Sequence, residues 1–196
     1  EQVITAAEYL RSMQQTGQNP YLGLEVFTTQ HAEIFFGRDH ETETLANAIL
    51  EHRLEPTPFL VTGRSGVGKS SLLQAGVQTR LETEGLTVHY LALPTTARPQ
   101  ATDVVIIDQF EQVLSGGAEE TLDDLVIELA QLAANGTKIV VSFRADFFES
   151  ATRVAYLMSG LHHGAHVVDT ITPAGTTEAV LGPADRAGIA IEPALL

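Results

Sequence analysis

Between residues 58 and 172, short apolar runs alternate with stretches whose apolar residues recur at helical spacing. Phe59-Leu60-Val61-Thr62 is one such run, followed by a glycine-rich turn. The spacing after that turn predicts a helix from about Lys69 to Leu81, with Leu72, Leu73 and Val77 facing inward. Leu86–Leu93 reads as a second strand. Val104–Ile107 reads as a third, apolar at every position as expected of a strand covered on both faces. Leu122, Leu125, Val126, Leu129 and Leu132 mark another helix, which Asn135-Gly136 terminates. Ile139–Phe143 and Val167–Ile171 complete a set of five strands. Such alternation predicts an α/β fold in which helices cover both faces of a parallel sheet.

The flanks follow a different pattern. Val3, Ala6, Ala7, Leu10 and Met13 have helical spacing, and Gly17, Asn19 and Pro20 end that helix. A mixed stretch closes with Phe35-Phe36-Gly37-Arg38. Asp39 reads as the N-cap of a helix carrying Leu45, Ala48, Ile49 and Leu50, with Glu41 and Glu43 where the helix dipole favours anions. At the other end, Pro173 starts a new register, and Thr177–Ala187 reads as a helix interrupted at Gly182-Pro183. The expected divisions are a helical N-terminal segment (1–57), a core (58–172) and the start of a helical lid (173–196). One connection is odd. Residues 94–102 between the second and third strands read as coil, although parallel crossovers are usually helical. Either this crossover is unusual or residues are missing from it.

Composition narrows the functional classes. The chain has 196 residues, of which 44% are apolar, enough for a real core. It has no cysteine, which excludes disulfides, zinc–thiolate sites and a cysteine nucleophile and fits a reducing, cytoplasmic setting. A net charge of −14 argues against direct binding of nucleic acid. No apolar stretch reaches the ~20 residues of a membrane span, and the first residues do not resemble a signal peptide. The chain lacks an initiator Met and stops in mid-pattern at Pro193-Ala194-Leu195-Leu196, so we expect a segment of a longer protein.

The chemistry concentrates after the first strand. Gly63-Arg64-Ser65-Gly66-Val67-Gly68-Lys69-Ser70 fits the pattern GxxxxGK followed by Ser or Thr. Glycines let successive N–H groups point into one cavity, and the helix behind adds its positive end. Lys69 is placed for the β- and γ-phosphates of a nucleotide and Ser70 for Mg²⁺, with Ser71 beside it. Val104-Val105-Ile106-Ile107-Asp108 is an apolar strand ending in an acid that can hold the same metal. Glu111 could polarise the attacking water. Arg144, just past the fourth strand, could contact the γ-phosphate or pair with Asp146. The seven histidines invite a metal reading, but His162 and His166 lack a suitably spaced carboxylate and read as surface or loop residues. Of the phenylalanine pairs Phe35-Phe36 and Phe147-Phe148, Phe36 is the one to test as a ligand contact.

Taken in order, these elements resemble the STAND class of P-loop NTPases, and within it the novel STAND family of bacterial multidomain proteins. The motifs are Asn19-Pro20-Tyr21-Leu22-Gly23-Leu24, Phe35-Phe36-Gly37-Arg38-Asp39-His40-Glu41, the Gly63–Ser70 loop (Walker A), Ile107-Asp108-Gln109-Phe110-Glu111-Gln112, Arg144-Ala145-Asp146-Phe147 and Gly182-Pro183-Ala184-Asp185-Arg186-Ala187-Gly188. The resemblance implies an AAA+-like sheet with the sensor strand between the Walker A and Walker B strands. It implies adenine contacts around Tyr21–Leu24 and Phe36, Gly37 and Arg38, Asp108 as the Walker B acid, Glu111 as the catalytic acid and Arg144 as the sensor. Pro183 stands for the lid proline that touches the base, without the usual GxP spacing, and Gln112 stands where the family often has Glu. It further implies ATP or ADP with Mg²⁺, effector and sensor domains elsewhere in a longer chain, and homo-oligomerisation on activation.

The expected function is an ATP-binding, slowly hydrolysing signalling switch. Alternatives are a non-hydrolysing nucleotide scaffold, a P-loop small-molecule kinase, for which no arginine-rich lid or acceptor pocket is evident, and a replication-type loader, which the charge opposes.

Overall fold

The structure, a computed structural model, describes residues 20–115 and 119–191, with the side chains of 119–121 left out. The helix expected over 3–15, Asn19 and Pro193–Leu196 lie outside the described residues.

Five strands form the sheet: β1 (Phe59–Gly63), β2 (Val88–Ala92), β3 (Val104–Asp108), β4 (Lys138–Arg144) and β5 (Ala165–Val168). Their order is β2-β3-β4-β1-β5, and each neighbouring pair is parallel. β4 thus lies between β1 and β3, as the resemblance implied. Alternate residues of each strand face opposite layers. One layer joins Val105, Ile107, Ile139, Val141 and Phe143 to Leu125, Leu129 and Ala133 of the helix Glu119–Ala134. The other joins Val61, Val104, Ile106 and Val140 to Leu45, Ile49, Leu72, Leu73 and Val77. Every residue of β3 is buried, which accounts for its unbroken apolar run.

Helices cover both layers. α1 is Asp39–Glu51. α2 has three consecutive parts, Lys69–Ser71, a π-helical Leu72–Gln78 and Thr79–Thr83. α3 is Glu111–Leu114, α4 Glu119–Ala134, α5 Phe148–Thr152, α6 Ala155–Leu161 and α7 Pro173–Arg186. No described helix is long and apolar enough to cross a membrane.

Several expectations need correction. Arg38, not Asp39, is the N-cap of α1, and Asp39 is its first residue, so its charge meets the helix dipole without capping an N–H. β5 begins at Ala165 and ends at Val168, before Ile171. It is an edge strand with Val167 turned outward, so apolar content alone misplaced it. α7 continues through Gly182-Pro183. Tyr21 Oη donates to Val180 O (2.6 Å) and the Phe36 ring packs where a Gly182 side chain would be, so tertiary contacts hold the turn that proline weakens. α5 and α6 have no counterpart in the sequence reading.

The odd crossover is coil, and it joins adjacent strands. Leu93 N donates to Asp108 O (3.0 Å), Gln100 N to His89 Nδ1 (2.9 Å), and Arg98 pairs with Glu128 (3.1 Å). These bonds supply partners that a crossover helix would otherwise provide internally.

Candidate functional site

The C-terminal ends of β1, β3 and β4 open on one cleft of about 410 Å³. Its walls are Leu24–Val26, the loop residues Ser65–Ser71, Asp108, Gln109, Glu111, Gln112 and Arg144. Parallel sheets bind ligands at this end because strand termini and helix N-termini meet there.

The loop from Gly63 to Gly68 is shaped by its glycines. Gly66 (φ 74°) and Gly68 (φ 90°) lie in the left-handed region, where a side chain would be strained. Gly63 has a second constraint, since a Cβ there would come within 2.6 Å of Val168 O on β5. Arg64, Ser65 and Gly66 are exposed, while Val67 is buried and anchors the loop to the core. Arg38 secures that anchor from behind. It is buried, with Nη2 donating to Val67 O (2.8 Å) and Nη1 to Asp169 O (2.9 Å).

Lys69 Nζ donates to Gly63 O (3.0 Å) and Arg64 O (3.1 Å). Burial lowers its pKa below the ordinary lysine value, with Glu111 and Asp108 pulling the other way. Ser71 Oγ accepts from Phe27 N (3.2 Å), tying the N-terminal strip to the start of α2.

Asp108 is 1% exposed. Its Oδ1 accepts from Gln109 N (2.9 Å) and its Oδ2 from Tyr90 Oη (2.6 Å). Tyr90 is a site residue the sequence reading missed. Burial, then the Asp108 charge, push its pKa upward, with Gln74 and Ser70 pulling the other way. The available signal was a lone tyrosine in the strand paired with the one that carries Asp108 (Tyr90 faces Ile106).

Gln109 has φ 58°, the one positive φ outside glycine among the described residues. This conformation costs about 1 kcal/mol or more, and it turns the chain sharply from β3 into α3. Glu111, 7% exposed, is thereby folded back over the strand ends, where it accepts from Arg144 N (3.3 Å). Arg144 forms a two-point pair with Asp146, Nε to Oδ1 (3.0 Å) and Nη2 to Oδ2 (2.7 Å), and lies over the Phe147 ring at 5.8 Å. The Asp146 pairing weighed from the sequence is thus present, with Arg144 still on the wall of the cleft.

Lys69, Ser70, Ser71, Asp108, Glu111, Arg144 and most of the loop therefore meet in one place. Phe36, Gly37, Arg38 and Pro183 do not line it. Phe36 packs on Gly182, and Gly37 (φ 83°) touches Gly175, whose added Cβ would lie 2.4 Å from Gly37 O. Pro183 is buried in α7. Two oxygen donors, Ser70 and Asp108, one of them an acid, suit a hard ion such as Mg²⁺. The basic loop with its helix N-terminus suits a polyphosphate.

A family model described as Novel STAND NTPase 1 matches residues 20–103 and 86–196, the two ranges overlapping over β2 and the coil crossover. Among curated proteins, none matches the chain in sequence. Solved structures of similar shape include AMPPCP-bound DnaA from Aquifex aeolicus, with 13% identity, TM-score 0.58 and coverage of 86% of this chain and 57% of that one. A DNA replication initiation factor has 14% identity, TM-score 0.56 and coverage of 80% and 53%. Aeropyrum pernix ORC1 in complex with DNA has 14% identity, TM-score 0.54 and coverage of 80% and 51%. The chain spans just over half the length of each of these structures. At such identities the likeness is one of fold, that of AAA+ P-loop NTPases.

Proposed function

The chain belongs to the novel STAND NTPase 1 family, and on that premise we propose that it is an ATP-dependent, slowly hydrolysing switch that couples nucleotide state to oligomerisation of a larger multidomain protein. The observation that carries this reading is the convergence of the phosphate loop, Asp108, Glu111 and Arg144 on one cleft.

In this reading the phosphates lie along the loop amides between Ser65 and Ser70. Lys69 exchanges the carbonyls of Gly63 and Arg64 for β- and γ-phosphate oxygens. Ser70 and Asp108 would hold Mg²⁺, which would neutralise charge on the phosphates. Asp108 keeps a free lone pair on each oxygen beside the bonds to Tyr90 and Gln109. Glu111 accepts a proton from the attacking water. The base lies along Leu24–Val26, where Leu24 is fully exposed beside the loop.

The switch needs an element with two arrangements. Arg144 supplies one, because Asp146 and a γ-phosphate compete for the same guanidinium. Arg38 carries the effect outward, since it bonds both the loop at Val67 and the chain entering α7 at Asp169. The α7 lid then moves relative to Phe36 and Gly37. Effector and sensor domains elsewhere in the longer protein, a homo-oligomer in the active state and a cytoplasmic setting belong to the same proposal. The charge of −14 supports an absence of direct nucleic-acid contact.

A second reading, a scaffold that binds ATP without turnover, draws support from Gln112 in place of an acid and from the firm Arg144–Asp146 pair. One experiment separates them. Incubated with Mg-ATP and no acceptor, the protein should release phosphate slowly. Glu111→Gln should keep ATP protection against thermal unfolding while release falls by roughly tenfold or more. Unchanged release in that variant removes Glu111 from the chemistry. Protection with no release from the wild type over hours supports the scaffold.

A further inference from the structure

We propose that the end of the sheet opposite the phosphate loop carries a transition-metal site, with Zn²⁺ as its ion, held by His52, Glu55 and His163. The proposal is independent of the nucleotide reading and concerns residues that reading does not use.

The three side chains form the one cluster of His and carboxylate groups among the described residues whose ligand atoms all lie within 4.8 Å of one another. His52 Nδ1 is 3.0 Å from Glu55 Oε1, and His163 Nε2 is 3.5 Å from Glu55 Oε2. Tetrahedral zinc, with ligands at about 2.0–2.2 Å, places neighbouring donors roughly 3.3–3.5 Å apart. Each histidine meets a different oxygen of Glu55, so a carboxylate that binds through one oxygen keeps one of these spacings, and small side-chain rotations bring in the other two from within 4.8 Å.

The backbone holds the ligands in position. His52 caps α1, and the turn that follows, with Glu55 N donating to His52 O (3.1 Å), puts both side chains on one face. Lys138, on the first position of β4, donates through Nζ to Thr57 O (2.9 Å) and Glu55 O (3.4 Å), fixing the same segment from the inside. His163 sits in the turn after α6, with its N–H donating to Gly160 O (3.1 Å). Gly160 permits that turn to approach, because a Cβ there would lie 2.3 Å from Pro58 O. Two segments about a hundred residues apart are thus locked with their ligands converging.

The ligands border a cavity of about 260 Å³ that His166, Phe59 and Lys138 also line. The cavity leaves room for a water as the fourth ligand. Two imidazoles and one carboxylate suit Zn²⁺ and disfavour Mg²⁺ or Ca²⁺, which prefer all-oxygen shells. The opposing charge is the Lys138 ammonium. Its protons point at backbone carbonyls, and burial lowers its pKa. Bound metal would clasp the C-terminal end of α1 to the α6–β5 turn.

The test uses the untagged 196-residue chain after chelator treatment. Zn²⁺ is titrated in competition with a chromogenic chelator, and Co²⁺ absorption reports coordination. We expect one ion per chain, visible-band intensity typical of four-coordinate Co²⁺, and no competition from Mg²⁺. His52→Ala and His163→Ala should each weaken binding by roughly tenfold or more, with an unchanged circular dichroism spectrum and intact ATP protection. His162→Ala, one residue away and outside the cluster, should bind as the wild type does. Wild-type affinity in the His52 or His163 variants, or no Zn²⁺ uptake at about 100 µM, overturns the proposal.

Discussion

The chain has two lysines, and they sit at opposite ends of the sheet doing the same thing. Lys69 donates to the carbonyls of Gly63 and Arg64, and Lys138 to those of Glu55 and Thr57. Burial depresses the pKa of both. They differ in what else is near. Lys69 is partly exposed, on a glycine loop, with Asp108, Glu111 and Arg144 around the cleft it faces. Lys138 is 1% exposed at the start of a central strand. A buried cation satisfied only by rigid backbone is a structural fastener. The same cation on a loop that can offer it phosphate oxygens instead is a binding group.

The largest test of that contrast is on stability without nucleotide. Lys138→Ala should lose about 3 kcal/mol in chemical denaturation, since a buried side chain and its two bonds to backbone carbonyls are removed together. Lys69→Ala should lose under about 1 kcal/mol, its side chain being partly exposed and its contact with Arg64 O lying at the surface. Equal losses would break the comparison.

A smaller effect comes from one glycine at each end. Gly160→Ala should cost about 2 kcal/mol through the clash with Pro58 O and leave ATP affinity unaltered. Gly66→Ala meets no atom within 4 Å but inherits φ 74°, so it should cost about 1 kcal/mol and weaken ATP binding. If Gly160→Ala weakened ATP binding as much, the two ends would not be independent.

The smallest effect is a pH slope. Lys138 has a folded-state pKa below its unfolded value, so between that lowered value and about 10.4 the unfolded chain binds more protons. Stability from this group therefore rises with pH across that window. Denaturation at stepped alkaline pH should show the wild type gaining on Lys138→Met, and parallel curves would refute the assignment.

Much of this contrast was legible in the sequence on one side only. The loop and Asp108 carry their chemistry in residue type and spacing, because phosphate binding uses backbone geometry that local glycines dictate. β3 was legible because burial on both faces demands an apolar run. Tyr90 was not, because its role comes from strand pairing across the short crossover. α5 and α6 were not, since helices this short depend on packing, as at Ala151 and Leu157, both fully buried. The proline in α7 suggested a break that contacts from Tyr21 and Phe36 override. The histidines show the limit most clearly. Spacing drew attention to His162 and His166, while the fold brings together His52 and His163, which no local pattern connects.

In the proposed function Lys69 is the exchangeable lysine and the Gly63–Ser70 loop binds ATP. The direct measurement is thermal unfolding with and without Mg-ATP for the wild type, Lys69→Ala and Lys138→Ala. The nucleotide-induced rise in Tm should persist in Lys138→Ala, on a lower baseline, and disappear in Lys69→Ala. A full rise retained by Lys69→Ala would contradict it.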